Sequence, residues 1–188
     1  MELVSEAIAF AVKAHDGMRR KKSQAPYILH PMEAAVIVGT MTDDQELIAA
    51  AALHDVVEDA DITIEQIEQR FGKRVRELVG AETEDKRADL PPEETWRIRK
   101  EESLNVLKNT KDIGVLMVWL GDKLANMRAI YRDFKVEGVA MWQRFNQKDV
   151  SQQAWYYRSI AELTERLSDT SAWLEYKTLT ELVFGKGE

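Results

Sequence analysis

Five apolar residues, Ala49-Ala-Ala-Ala-Leu53, run directly into His54-Asp55-Val-Val-Glu58-Asp59. This junction constrains the fold more than any other stretch of the chain. The apolar run implies a deeply buried helix, yet four ionisable groups stand at its end. On a continuous helix from Leu47 to about Asp59, Glu58 lies four residues after His54 and Asp59 four after Asp55, so successive turns present both pairs to overlapping faces. Acidic groups packed beside Ala and Val need a compensating cation. An imidazole nitrogen and a carboxylate oxygen are ligands for a borderline or hard divalent ion, which can make bound water nucleophilic near neutral pH. A lone His-Asp pair is ordinarily a solvated helix surface; its extension to Glu58-Asp59 points instead to a metal site with an acid/base pair beside it.

The remainder of the chain reads as helix. Nine glycines, four prolines and helical spacing of apolar residues nearly throughout the 188 residues predict one all-α domain. Leu3, Ala7, Phe10, Ala11 and Ala14 mark a first helix that Gly17 can end, and a second starts after His30-Pro31 and runs through Ala34, Ala35 and Val38. Thr63 and Gln66 form a capping box for a short helix to Gly72, and Val75, Leu78 and Val79 mark another. Glu82 to Glu94, with Pro91-Pro92, reads as a loop able to cover a site. A charged helix over 93–107 carries Trp96, Ile98, Leu104 and Leu107, and a long apolar helix runs from Asp112 to about Phe134. Helices from Asp149 or Ser151 to Leu167 and from Ala172 to Phe184 close the chain.

With no cysteine, any metal must be held by nitrogen and oxygen. The formal charge of −7 argues against polymeric nucleic acid as a partner. The longest apolar run, Val115 to Leu120, is far short of the roughly 20 residues that span a membrane. Met1 to Phe10 has acids where an export signal would be basic, so a cytoplasmic protein is expected. Within this acidic chain, Arg19-Arg-Lys-Lys22 is either a solvated turn or a hold for a phosphorylated ligand. Asp122, inside the apolar helix, requires a partner: a basic residue such as Lys123 or Arg128, or a metal shared with His30, His54 and Asp55. Asn126 follows one turn later on the same face.

Ala14-His-Asp-Gly-Met-Arg-Arg-Lys21, Pro26-Tyr-Ile-Leu-His-Pro31, Ala51-Ala-Leu-His-Asp-Val-Val-Glu-Asp59, Phe71-Gly72 and Leu120-Gly-Asp-Lys-Leu-Ala-Asn-Met-Arg128 resemble, in order and spacing, the hydrolase domain of Rel/SpoT-type stringent-response proteins. The resemblance covers about residues 1–170. It implies a single HD-type phosphohydrolase domain over 1–188, a helical bundle of about 8–10 helices, similar to small alarmone hydrolases of the metazoan SpoT homologue type. By this resemblance His30, His54, Asp55 and Asp122 match the ligands of one Mn2+, and Glu58 and Asp59 match the catalytic acids. Arg20, Lys21 and Asn126 match residues that contact the nucleotide, with Lys86 and Tyr156 near positions that do so. The implied reaction is hydrolysis of a nucleotide 3′-diphosphate, (p)ppGpp, to GDP or GTP and pyrophosphate. Alternatives are another nucleotide (an adenine alarmone, a nucleoside monophosphate or NADPH) or a non-catalytic nucleotide-binding module. Oligomeric state is left open. Met18 stands where relatives usually have Gln, Trp119 where they have Lys or Arg, and Gly121 where they have Ala; Trp119 and Met18 bear on substrate identity.

Overall fold

The computed structural model describes residues 2–20, 24–87 and 89–186. Among the described residues no strand forms, and one isolated antiparallel bridge joins Arg19 to Pro26 across the basic turn. Among the described residues no helix is long and apolar enough to cross a membrane. Helix α1 (Leu3–Ala14) buries Ala7 and Ala11 on the expected face, and Gly17, at φ +74°, turns the chain away from it. Helix α2 (Leu29–Gly39) begins at Leu29, one residue before His30 rather than after Pro31. Pro31 still falls in the first turn, where its missing N–H costs nothing.

The helix expected from Leu47 to Asp59 is divided. Helix α3 (Gln45–Leu53), capped by the Asp44 side chain, ends before His54, and Val56–Asp59 resumes as the single turn α4. The His54 Nδ1–H lies 2.8 Å from the Ala51 carbonyl, the oxygen that a continuous helix would offer to the Asp55 N–H. A side chain inserted into the helical ladder in this way breaks it. His54 and Asp55 therefore lie in the turn between α3 and α4 and not within one continuous helix.

Helix α5 (Ile64–Phe71) carries the predicted Thr63–Gln66 capping box, and Gly72, at φ +90°, joins it to α6 (Lys73–Glu82). The connecting loop is shorter than read from sequence, because α6 continues to Glu82 and α7 (Pro92–Asn109) starts at Pro92. Trp96, Leu104 and Leu107 of α7 are buried, but Ile98 points outward. Asp112 caps α8 (Ile113–Glu137). A 3-10 segment, Gly138–Arg144, leads to α9 (Val150–Leu163), capped by Asp149, and a short 3-10 turn at Glu165–Leu167 takes up what had been assigned to that helix. Helix α10 (Ser171–Phe184) follows its Thr170 cap.

Helix α8 is buried along most of residues 114–127, and the helix packs against α2, α3, α6 and α10. Its approach to α2 depends on Gly121: a Cβ built there would lie 2.7 Å from Val38 Cγ2 and 3.0 Å from the Ala34 carbonyl oxygen. That close packing sets His30 of α2 against Asp122 of α8. The end of α3 then brings His54 to the same point.

Candidate metal centre and adjoining pockets

Helices α2, α3 and α8 bring together residues from three distant parts of the sequence. His30, His54 and Asp122 are all buried, and each offers a ligand atom within 4.8 Å of the others. His30 Nε2 lies 2.9 Å from Asp122 Oδ1, and His54 Nε2 lies 3.5 Å from the same oxygen. Asp55 joins from the turn, its Oδ2 3.1 Å from His54 Nε2 and 3.5 Å from His30 Nε2. Tyr27, at the mouth of α2, donates its hydroxyl to that oxygen at 2.7 Å. Burial raises the Tyr27 phenol well above its usual range, with Asp55 and Asp59 adding to the effect, so the residue stays a donor.

Two observations test whether this cage suits a divalent cation. The Ala51 carbonyl holds the proton on His54 Nδ1, which leaves Nε2 as the donor atom; that nitrogen is sealed from solvent and faces only the Asp55 and Asp122 carboxylates, at 3.1 and 3.5 Å. Desolvation pulls the His54 imidazolium down, yet Asp55 and Asp122 together outweigh it and raise the group well above 6.5. The cage therefore asks for positive charge, which a proton or a metal ion supplies. Two imidazoles and two carboxylates are a nitrogen and oxygen donor set suited to manganese, iron or catalytic zinc.

Glu58 and Asp59 border the cage from α4. Glu58 Oε1 accepts the Glu84 backbone N–H at 2.7 Å, and burial followed by the charge of Asp55 raises its carboxyl above the ordinary range against that bond. Lys86 reaches back to pair with Asp59 and with the Glu58 carbonyl, the latter at 3.0 Å. The chain after α6 is anchored at Glu84 more firmly than its composition suggests. Glu84 is gripped by Arg99, Lys100 and Ser103 of α7 at 2.9, 2.6 and 2.9 Å.

Arg20 donates to Asn126 Oδ1 at 3.3 Å, and Asn126 donates to Asp122 Oδ1 at 2.7 Å, which ties the basic turn to the metal cage. A cavity of about 630 Å³ opens beside them, lined by Arg20, Tyr27, His30, Asp59 and Asn126 among others. Lys21 lies outside the described residues. Tyr156 stands apart from this cavity, buried in a second pocket with Lys100 and Lys123. Met18 lines the main cavity and its Sδ meets His15 Nδ1 at 3.4 Å. Trp119 does not face either cavity: it is buried, its indole N–H bonding the Ala81 carbonyl at 3.2 Å.

Nothing in the sequence assigned a site role to Tyr27, Glu84 or Lys100; Lys123 stood there only as an ion-pair partner for Asp122, and the two do pair. Tyr27 carried a signal, since it lies three residues before His30 within a motif. Glu84 and Lys100 carried none, because their importance comes from a loop folding onto a helix.

A family model described as HD domain matches residues 7–149. The chain is 34% identical over 141 residues to a guanosine-3′,5′-bis(diphosphate) 3′-pyrophosphohydrolase of Aquifex aeolicus, covering 74% of this chain and 20% of that protein. It is 40% identical over 129 residues to a protein of Synechocystis described as a probable enzyme of the same name, covering 68% of this chain and 17% of the relative. The chain thus spans a fifth or less of the curated relatives it matches. Among solved structures, a metazoan orthologue of SpoT described as hydrolysing ppGpp superposes with a TM-score of 0.77 at 25% identity, covering 99% of this chain and 98% of that one. A Listeria monocytogenes protein superposes at 0.73 and 27% identity, covering 84% and 99%.

Proposed function

Because the chain belongs to the HD domain family, we propose that it is a metal-dependent phosphohydrolase that cleaves the 3′-diphosphate of a guanosine nucleotide, (p)ppGpp, to GDP or GTP and pyrophosphate. The observation that carries this reading is the buried convergence of His30, His54 and Asp122, with Asp55 at its edge and Glu58 beside it. Relatives named for the same reaction support it. Mn2+ is the proposed ion, held by His30, His54, Asp55 and Asp122, and a cytoplasmic setting goes with a small nucleotide substrate. Once bound, such an ion would polarise the phosphoryl group and lower the pKa of water.

The chain's own residues then have distinct tasks. Glu58, fixed by the Glu84 N–H and desolvated, takes the proton of the attacking water. Asp59, paired with Lys86, orients that water and keeps the acidic pair from repelling the substrate. Arg20, Lys21 and Asn126 hold the nucleotide, with Arg20 and Asn126 already linked to each other and to Asp122. Lys86, held beside Asp59, meets phosphate oxygens, and Tyr156 contacts the substrate from its side pocket. Positioning and charge stabilisation of this kind are most of what phosphoryl transfer requires.

The decisive experiment incubates the purified chain with ppGpp, its adenine analogue, a nucleoside monophosphate and NADPH, each with Mn2+ and with chelator, and identifies the products. Pyrophosphate from ppGpp that vanishes with chelator supports the reading. Orthophosphate from another nucleotide, or binding without product, refutes it.

A further inference from the structure

Between α6 and α8 lies a buried carboxylate that no step of the proposed reaction uses. Glu82, the last residue of α6, is 5% exposed, and both of its carboxyl oxygens are sealed from solvent without a hydrogen-bond partner. A buried acid needs a compensating cation, and the one beside it is Lys123, whose Nζ stands 3.5 Å from Glu82 Oε1. The same ammonium pairs with Asp122 Oδ2. It also lies 4.7 Å from the centre of the Trp119 ring, one turn earlier on α8, where a cation is attracted to the aromatic face. The Trp119 indole N–H bonds the Ala81 carbonyl at 3.2 Å, which fixes the ring against the residue before Glu82. Lys123 is thus held from three directions.

The two oxygens of Asp122 are divided between separate partners. Oδ1 faces the cage, 2.9 Å from His30 Nε2 and 3.5 Å from His54 Nε2, and accepts the Asn126 amide at 2.7 Å. Oδ2 goes to Lys123. An ammonium bonded to one carboxylate oxygen occupies its lone pair, and its charge repels a metal ion from that side. Trp119 favours this division, because a neutral ring face attracts the ammonium where the cation that relatives usually carry at this motif position would repel it.

We propose that Lys123, held by Glu82 and the Trp119 ring, is a positioning residue that confines Asp122 to binding the metal ion through Oδ1 alone. The inference rests on the metal-dependent function proposed above. With His30, His54, Asp55 and Asp122 giving one atom each, an ion that accepts about six donors keeps about two positions for water and substrate oxygens. An Asp122 free to bind through both oxygens would close one of them.

The test compares the wild-type chain with the paired variant Glu82→Gln/Lys123→Met and with Trp119→Leu. Both charges are removed together because stripping one partner from a nearly buried ion pair is far more destabilising than replacing the two. Calorimetry gives Mn2+ affinity, and the longitudinal relaxation of water protons by the bound ion counts the exchangeable waters on it. The paired variant is expected to lose about one of two such waters, so that relaxivity falls by about half, while Mn2+ binds at least as tightly because Asp122 now supplies a second oxygen. Its kcat for ppGpp should fall with little change in KM. Trp119→Leu, which leaves both charges in place, should shift relaxivity in the same direction by less. Relaxivity equal to wild type in both variants overturns the proposal. So does weaker Mn2+ binding at unchanged relaxivity, the result expected if Lys123 only supports the packing. A wild type that binds no Mn2+ overturns this inference and the metal-dependent reading together. If it binds Mn2+ but releases no pyrophosphate from ppGpp, only the proposed reaction falls, and the relaxivity comparison still decides the role of Lys123.

Discussion

Substituting Gly121→Ala sets two opposing effects against each other at the contact that aligns the metal cage. Replacing glycine inside a helix gains about 1 kcal/mol of helix propensity. The new methyl, however, would sit 2.7 Å from Val38 Cγ2 and 3.0 Å from the Ala34 carbonyl oxygen. Val38 is fully buried, and its β-branched side chain has little rotameric freedom on a helix. The Ala34 oxygen is backbone and moves only if α2 moves. Overpacking of this kind costs about 1–3 kcal/mol, here near the upper end, so the net loss should be about 1–2 kcal/mol. For a chain of this size that is a fall in Tm of about 2–8 °C. Because the relief is a shift of α2, which carries His30, away from Asp122, Mn2+ affinity should fall with stability. Thermal unfolding with and without Mn2+ measures both. Val38→Ala in the same background removes the nearest clashing atom, and the pair should couple favourably by about 1 kcal/mol. A Gly121→Ala protein as stable as wild type, or strictly additive with Val38→Ala, would show that the α2–α8 approach does not limit this contact.

Three further outcomes follow from the geometry. Tyr27→Phe removes the hydroxyl that bonds Asp55 at 2.7 Å and should weaken Mn2+ binding about 10–100-fold in a direct metal titration while leaving the fold intact; unchanged affinity would remove Tyr27 from the site. Glu84→Gln strips the carboxylate from a nearly buried cluster with Arg99 and Lys100 and should cost about 3 kcal/mol, with kcat lowered more than KM is raised, because Glu58 loses a rigid neighbour; an undiminished kcat would separate the loop from catalysis. Asp112 is held below the usual carboxylate range chiefly by its hydrogen bonds from Arg74, one of them at 3.0 Å. A depressed carboxyl stabilises the fold above its unfolded pKa and loses that contribution as pH falls through the folded one. Asp112→Asn keeps the helix cap, so its stability deficit should be present at pH 7 and shrink below about pH 4; a deficit independent of pH would mean that the ion pair contributes nothing.

Local chemistry made much of this molecule legible in the sequence. Helix periodicity, the Thr63–Gln66 box and the helix starts at Asp112 and at Asp149, the latter one of two positions left open, depend only on residues within a turn or two of each other, and the structure has them there. The need for a cation at His54-Asp55 and for a partner at Asp122 was likewise readable, because an ionisable group in an apolar run states its own desolvation problem. The third helix was misread for a local reason that residue types do not display: only coordinates reveal that His54 turns back on the Ala51 carbonyl and breaks the ladder. Trp119, which replaces a cation at a motif position, raised a question about substrate identity; its indole is buried, with its N–H on the Ala81 carbonyl.

What the sequence determined, then, is the set of helices and the presence of groups that cannot be buried unaccompanied. Which of those groups meet was settled in three dimensions. His30 and Asp122 are 92 positions apart in the chain, and only the glycine-permitted approach of α2 to α8 brings them within 2.9 Å. The grip of α7 on Glu84, and through it the position of Glu58, depends equally on a loop whose composition says no more than polar. Charge and hydrogen bonding act over a few ångströms of space, and separation along the chain carries no information about that distance until the helices are packed.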